Sequence, residues 1–219
     1  MRVDFRSYGA YDVNGGSHRV TIMAAKNVET QMRQEQIAQA TLEEIVANGL
    51  AKVSVAAVAR RVGVVPSALY RHFKSKDEVL DATMEMILGR LLKNVDAVLA
   101  ESGTPLGHLK QLLDRHVGMI RANRGAPQML LSQDFYAQRP DRRRRVYEGI
   151  QAYLARVAEV ICEAQRCGQV DPQIDAQAVS VMFLGLIQPP AILWHMSNGA
   201  FDVDRQTSHA WTLFLKAIG

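Results

Sequence analysis

Cysteine is nearly absent: Cys162 and Cys167 are the only two in 219 residues. Five positions apart on one helical pattern, they fit neither a disulfide framework nor a structural zinc site, and they read as buried or idle thiols. No apolar stretch, Val179 to Ile187 included, reaches the roughly 18–20 residues expected of a membrane-spanning helix. The N-terminus carries Arg2, Asp4 and Arg6 with no apolar run and cleavage site behind them, so a cytoplasmic protein without a membrane partner is expected. Alternating strand patterns, internal repeats and low-complexity tracts are missing as well. The six histidines, at positions 18, 72, 108, 116, 195 and 209, include no closely spaced metal pair. Neither a phosphate-binding glycine loop nor a nucleophile elbow occurs. No catalytic residue, metal site or cofactor is therefore nominated, although catalytic groups distant in sequence escape such a search.

What is present is an ordinary globular balance, 48% hydrophobic and 22% charged, in a chain long enough to bury a substantial core. The formal charge of +4 permits a polyanionic partner without demanding one. Its distribution says more. From Ala51 to Lys76 stand six cationic residues, Lys52, Arg60, Arg61, Arg71, Lys74 and Lys76, with His72 and not one acid. A short cationic segment in an otherwise balanced chain is the footprint of a nucleic-acid-binding element.

Every sustained period is helical, so the fold class is all-α. Residues 1–28 show glycines and scattered polar residues and read as a flexible N-terminal arm, either adding DNA contacts or preceding a start at Met23. A first helix runs from Gln31 to Asn48, with Gly49 as its left-handed cap. Ser54 caps a helix over Val55–Val62 that Gly63 stops; Pro66 opens the next, continued by Ser67 to Phe73. Ser75 and Glu78 form a capping box for a long helix striped by Leu80, Met84, Ile87, Leu91, Val95 and Val98. Further helices are expected over 104–122, 125–136, 140–167, 175–197 and 203–218, with Pro189 and Pro190 kinking or breaking the fourth of these.

Two helices joined by a turn can be a mere packing hairpin, so the spacing carries the argument. Ala59 lets the helices approach, Gly63 turns the chain, and Val58, Val62, Val64 and Leu69 fill the angle, which leaves the second helix free to enter a major groove. The segment Ser54-Val55-Ala56-Ala57-Val58-Ala59-Arg60-Arg61-Val62-Gly63-Val64, followed by Ser67-Ala68-Leu69-Tyr70-Arg71-His72-Phe73-Lys74-Ser75-Lys76-Asp77-Glu78-Val79-Leu80, resembles the TetR family of transcriptional regulators. The resemblance spans about residues 31 to 80. It implies an N-terminal three-helix helix-turn-helix DNA-binding domain, residues 29–76, ahead of a larger helical-bundle regulatory domain for ligand binding and dimerisation, residues 77–219. It also implies a homodimer on a palindromic double-stranded operator, usually repressive and released by a small-molecule effector. By that analogy Ser54, Tyr70, His72 and Lys76 face phosphates, while Pro66, Ser67, Ala68 and Arg71 lie nearest the bases. Val65 departs from the hydroxyl-bearing cap common in the family, so Pro66 has to set that helix start. Phe73 reads as a core anchor. Of Arg60 and Arg61, at most one is expected on a phosphate.

For a ligand pocket the candidates are large or polarizable residues on segments able to face one another. They are Met84, His116, Met119 and Met129, then Phe135, Tyr136 and Tyr153, and finally Phe183, Gln188 and Trp194; each also fits a core position. The apolar setting points to a hydrophobic or amphipathic effector. The run Arg142 to Arg145 reads as a solvated helix face. Val179, Phe183, Leu186, Trp211, Phe214 and Leu215 give the last helices more apolar bulk than one closing pair needs, and a dimer interface is the expected use. The competing readings are a helical-bundle enzyme and an interaction protein whose helix-turn-helix is only structural.

Overall fold

Why the helices stop where they do is written mostly in glycine, proline and short polar caps. In the computed structural model, which describes the backbone of residues 17–137 and 139–219 and the side chains of 32–137 and 139–219, eleven α-helices and no strand occur among the described residues. They are α1 Ser17–Asn48, α2 Val55–Val62, α3 Pro66–Tyr70, α4 Lys76–Leu99, α5 Pro105–Ala122 and α6 Gly125–Leu130. After these come α7 Gln133–Tyr136, α8 Pro140–Arg166, α9 Ala176–Gly185, α10 Gln188–Met196 and α11 Val203–Ile218. A 3₁₀ turn, Leu50–Lys52, links α1 to α2. The chain divides into two compact units, residues 1–34 and 35–219, and the second holds the end of α1 and every later helix.

Four expectations change. Helix α1 starts at Ser17 rather than Gln31, so residues 17–28 of the expected arm are helical, while residues 1–16 lie outside the described residues. No glycine or proline interrupts the chain between Gly16 and Gly49, so nothing stops the helix there. Helix α3 ends at Tyr70; His72 and Phe73 both donate to Leu69 O at 2.9 Å, and the chain turns toward Ser75. The helix expected over 125–136 is broken between α6 and α7, and Tyr136 Oη reaches back to Leu130 O at 2.8 Å to tie the pieces. The stretch Ala176–Met196 proves long and apolar enough, by length and composition, to cross a membrane. Here it is two helices, α9 and α10, parted ahead of Pro189 and Pro190, whose missing N–H groups cannot continue the ladder. It turns Val179, Phe183, Ala191 and Trp194 inward.

The interior forms two hydrophobic clusters strung on α4. The first gathers Ile45, Val58, Leu69 and Phe73 with Met84 and Ile87 of α4, and also Met129, Phe135 and Val146 from α6, α7 and α8. The second gathers Leu91, Val95 and Val98 of α4 with Leu112, Val157, Phe183 and Phe214. The helix-turn-helix segment therefore shares its core with the start of α8. One close approach fixes this arrangement: a Cβ added at Gly125 would run into the backbone of Leu42. Cys162 and Cys167, expected to be buried or idle, are both exposed free thiols.

Candidate DNA interface and ligand cavity

Ser54 Oγ accepts from Ala57 N at 3.1 Å and so fixes the start of α2. Gly63 ends it in the left-handed region at φ 78°, and Val64 N returns to Ala59 O at 3.0 Å. Ala59 and Val58 are fully buried and Leu69 nearly so, which holds α3 against α2 from one side only. The opposite side of α3 is open: Ser67, Arg71 and His72 are exposed, Tyr70 is 49% exposed, and Pro66 and Ala68 are half-buried. Val65 offers no side-chain cap; the helix opens on Pro66 at its first position, with Ala68 N donating to Val65 O at 2.9 Å. Phe73 is buried, as its core reading requires.

The cations sort into spent and free. Arg61 is engaged by Glu44, with Nε and Nη2 at 3.0 and 2.9 Å from Oε2, and this guanidinium holds the Glu44 carboxyl below its ordinary range. Lys76, expected on a phosphate, instead donates to Leu50 O at 2.7 Å and Ala51 O at 3.0 Å. Val53 N already donates to Leu50 O at 3.2 Å within the 3₁₀ turn, and the ammonium that opens α4 adds a second bond there and takes up the Ala51 carbonyl. Lys52, Arg60, Arg71 and Lys74 form no ion pair among the described residues and remain available to phosphates.

A cavity of about 270 Å³ lies where the two clusters meet, lined by Ile87 and Leu91 of α4, Ala126 of α6, and Val146 and Tyr153 of α8 among others. That is just below the ~300–1,000 Å³ usual for small-molecule sites. Of the ten residues expected from sequence, His116, Met119, Tyr136, Tyr153 and Gln188 line it. Met84, Met129, Phe135, Phe183 and Trp194 do not; they fill the two clusters. Helical spacing tells inward from outward, but it cannot tell a residue that fills space from one that borders it. For the same reason the aliphatic wall, including Met86, Ile120, Leu130, Ile150 and Ile192, is not legible in the sequence. His116 Nδ1 and Tyr153 Oη are 3.3 Å apart, with the rings edge-on at 5.5 Å. Burial pushes His116 down to about 4 and pushes the Tyr153 hydroxyl up.

Beside the cavity, the arginine run is not a solvated face. Arg142 is 2% exposed. Its Nε donates to Asp81 Oδ1 at 2.6 Å, Nη1 to Phe135 O at 3.0 Å, and Nη2 to both Asp77 Oδ1 at 2.7 Å and Asp77 O at 3.0 Å. The guanidinium also lies over the Phe135 ring at 4.9 Å. Arg139 reaches Asp81 at 2.9 Å and Asp141 at 3.2 Å, and Arg145 reaches Glu85 at 2.8 Å and Asp141 at 3.1 Å. Three arginines at i, i+3 and i+6, at the start of α8, thus meet three acids spaced by four on α4. Within the run, only Arg143 and Arg144 point to solvent.

Of the six residues expected at a dimer interface, four are turned into the core. Val179, Phe183, Leu186 and Phe214 are buried in the second cluster, and Trp211, half-buried, stacks on Phe214 at 5.4 Å; Leu215 is half-buried. The outward apolar residues on these helices are Val181 (54% exposed), Met182 (42%) and Leu213 (67%). Helix α9 is apolar on nearly all sides, so its pattern does not say which face turns in.

An open, cation-flanked helix-turn-helix that leads into a helix walling an internal cavity defines a DNA-binding protein with a cavity-bearing helical domain. Residues 37–83 match the model of bacterial regulatory proteins of the tetR family, and residues 84–217 match that of the YsiA-like protein C-terminal region. The chain belongs to the TetR family, and it is a DNA-binding transcriptional regulator rather than an enzyme. Among its relatives, the fatty acid metabolism regulator protein of Bacillus subtilis is 20% identical over 183 residues, 84% of this chain and 94% of the relative. The nucleoid occlusion factor SlmA of Aliivibrio fischeri is 23% identical over 188 residues, 85% of this chain and 95% of that one. The crystal structure of the transcriptional regulator FadR from Bacillus subtilis in complex with stearoyl-CoA superposes with a TM-score of 0.70 at 19% identity, covering 84% of this chain and 99% of that one.

Proposed function

We propose that the protein is a cytoplasmic repressor that binds a palindromic operator as a homodimer and releases it when a hydrophobic or amphipathic effector fills the cavity. In this reading residues 29–76 read the DNA and residues 77–219 hold the effector and dimerise. Ser54, Tyr70 and His72 meet phosphates, and Pro66, Ser67, Ala68 and Arg71 lie at the base edges; Lys76 serves by pinning α4 to the 3₁₀ turn. The outward faces of α9 and α11, with Val181, Met182 and Leu213, pair with their copies in a four-helix bundle. That places two reading helices about 34 Å apart or somewhat more, near one turn of DNA.

The observation that carries the reading is the shared use of α4 and α8. Both line the cavity, through Ile87, Leu91, Val146 and Tyr153, and both enter the Arg142 cluster at the very turn of α4 that comes after the reading helix. An effector that favours a shifted α8 therefore biases the position of α3, a population shift whose size is the ligand's differential affinity for the two states. Because the related FadR structure holds stearoyl-CoA, a long-chain acyl-CoA is the first effector class to test. The experiment is selection of bound fragments from genomic DNA, footprinting, and titration of the complex with stearoyl-CoA. The expected result is a protected palindrome with half-sites one turn apart, loosened by the effector. An effector that binds equally well with and without operator refutes the coupling.

A further inference from the structure

Two buried polar side chains border a cavity otherwise walled mainly by hydrocarbon, and although the Tyr153 ring packs in the second cluster, neither the helix-turn-helix nor that packing requires their polar atoms. His116 is 5% exposed and Tyr153 is 1% exposed. They bond each other at 3.3 Å, and His116 Nε2 has no hydrogen-bond partner among the described residues although its ring belongs to the cavity wall. Either tautomer leads to the same inventory. If the Tyr153 hydroxyl donates to Nδ1, the ring proton sits on Nε2 and the phenolic oxygen keeps a free lone pair. If Nδ1–H donates, the hydroxyl proton and the Nε2 lone pair are free instead. In both cases the pair presents one donor and one acceptor.

We infer that the part of the ligand lodged in the cavity is uncharged and bears a hydroxyl or carbonyl oxygen, held at His116 Nε2 and Tyr153 Oη. The inference rests on the reading of this cavity as the effector site, and it names the chemistry at its polar point. No buried charge stands there to meet an ion: His116 is neutral at ordinary pH because burial disfavours its cation. Asn123 gives one amide N–H to Met119 O at 2.7 Å and keeps only neutral groups, its second N–H and its carbonyl, and the Tyr136 hydroxyl is given to Leu130 O. The one cation among the described residues of the wall, Arg90, is a third exposed and faces Glu35 at 3.6 Å. A carboxylate or ammonium beside His116 would be a desolvated charge without a counter-charge, whereas an alcohol, ketone or ester oxygen finds its complement.

The test is calorimetric titration of the full-length protein with three probes of one chain length, 1-octanol, octanoate and octylammonium, repeated on His116→Leu and Tyr153→Phe. The second variant removes a single hydroxyl and guards against misfolding of the first. The expected result is that 1-octanol binds the parent more tightly than either ion and weakens about tenfold in both variants. Octanoate seated at the Arg90 rim keeps its affinity in both. Unchanged 1-octanol affinity in the two variants, tighter binding of octanoate or octylammonium than of 1-octanol, or no 1-octanol binding by the parent overturns the inference. A parallel titration of the operator complex separates the two readings. If 1-octanol binds with the expected sensitivity while the DNA stays bound, the effector reading fails and the oxygen recognition stands.

Discussion

Replacing Arg142 with methionine keeps much of the side-chain volume and removes the charge, so it isolates what the buried guanidinium does. Removing one partner of a buried ion pair costs about 3–5 kcal/mol when the other is left bare. Here the partners are not left bare. Asp81, at 17% exposed, keeps Arg139 at 2.9 Å and Arg145 at 3.3 Å, and Asp77, at 53% exposed, is already solvated. The pairing with Asp77 therefore adds little. What is lost outright is the donor to Phe135 O and Asp77 O and one charged bond to Asp81. At about 1 kcal/mol for each carbonyl and ~1.5–3 for the charged bond, less the relief of not burying a cation, the net is about 2–4 kcal/mol. For a chain of this size that lowers Tm by roughly 5–15 °C. Urea unfolding followed by circular dichroism measures it, and a cycle with Asp81→Asn should return a coupling of about 1–3 kcal/mol. If Arg142→Met unfolds at the parent's urea midpoint or above it, the cluster does not anchor α8 to α4. The transmission path built on it then falls too.

Other consequences rest on single contacts. Gly125→Ala places a methyl group against the backbone of Leu42, which cannot yield as a side chain tip would, so it should destabilise by about 1–3 kcal/mol, read as a shift in urea midpoint. Ser54→Ala removes the cap on Ala57 N and should cost ~1 kcal/mol while also loosening operator binding. His116 lies near 4 in the folded chain against 6.5 when unfolded, so the unfolded state binds the extra proton between those values. Its share of stability is complete above about pH 6.5 and is lost as pH falls toward 4, by ~3 kcal/mol in all. In His116→Leu that part of the acid loss should vanish, and an unchanged pH profile would contradict the burial argument.

The parts of the molecule legible in the sequence are those set by local chemistry. Ser54, Gly63, Pro66 and the Ser75–Glu78 box are decided within a few residues of themselves, and the bounds of α2 and the starts of α3 and α4 agree with them. What depends on distant partners is not legible. Lys76 carries an ammonium suited to phosphate, but Leu50 O and Ala51 O lie 26 and 25 positions back in the chain and claim it. Arg142 looks like one more solvated cation until Asp77 and Asp81, some sixty positions earlier, close over it. The cavity depends on where packing is incomplete, and helical spacing treats Phe183, which fills, and Leu184, which borders, as neighbours in one apolar run.

That the exposed side of α3 grips DNA is the central claim, and fluorescence anisotropy on a selected operator across a salt series tests it most directly, comparing the parent with Tyr70→Ala and Arg71→Ala. The account predicts saturable binding that weakens steeply with salt, is lowered by both substitutions, and loses discrimination between operator and scrambled DNA chiefly in Arg71→Ala. A folded parent that binds neither operator candidates nor pooled genomic fragments at low salt, or variants that bind as the parent does, would contradict it.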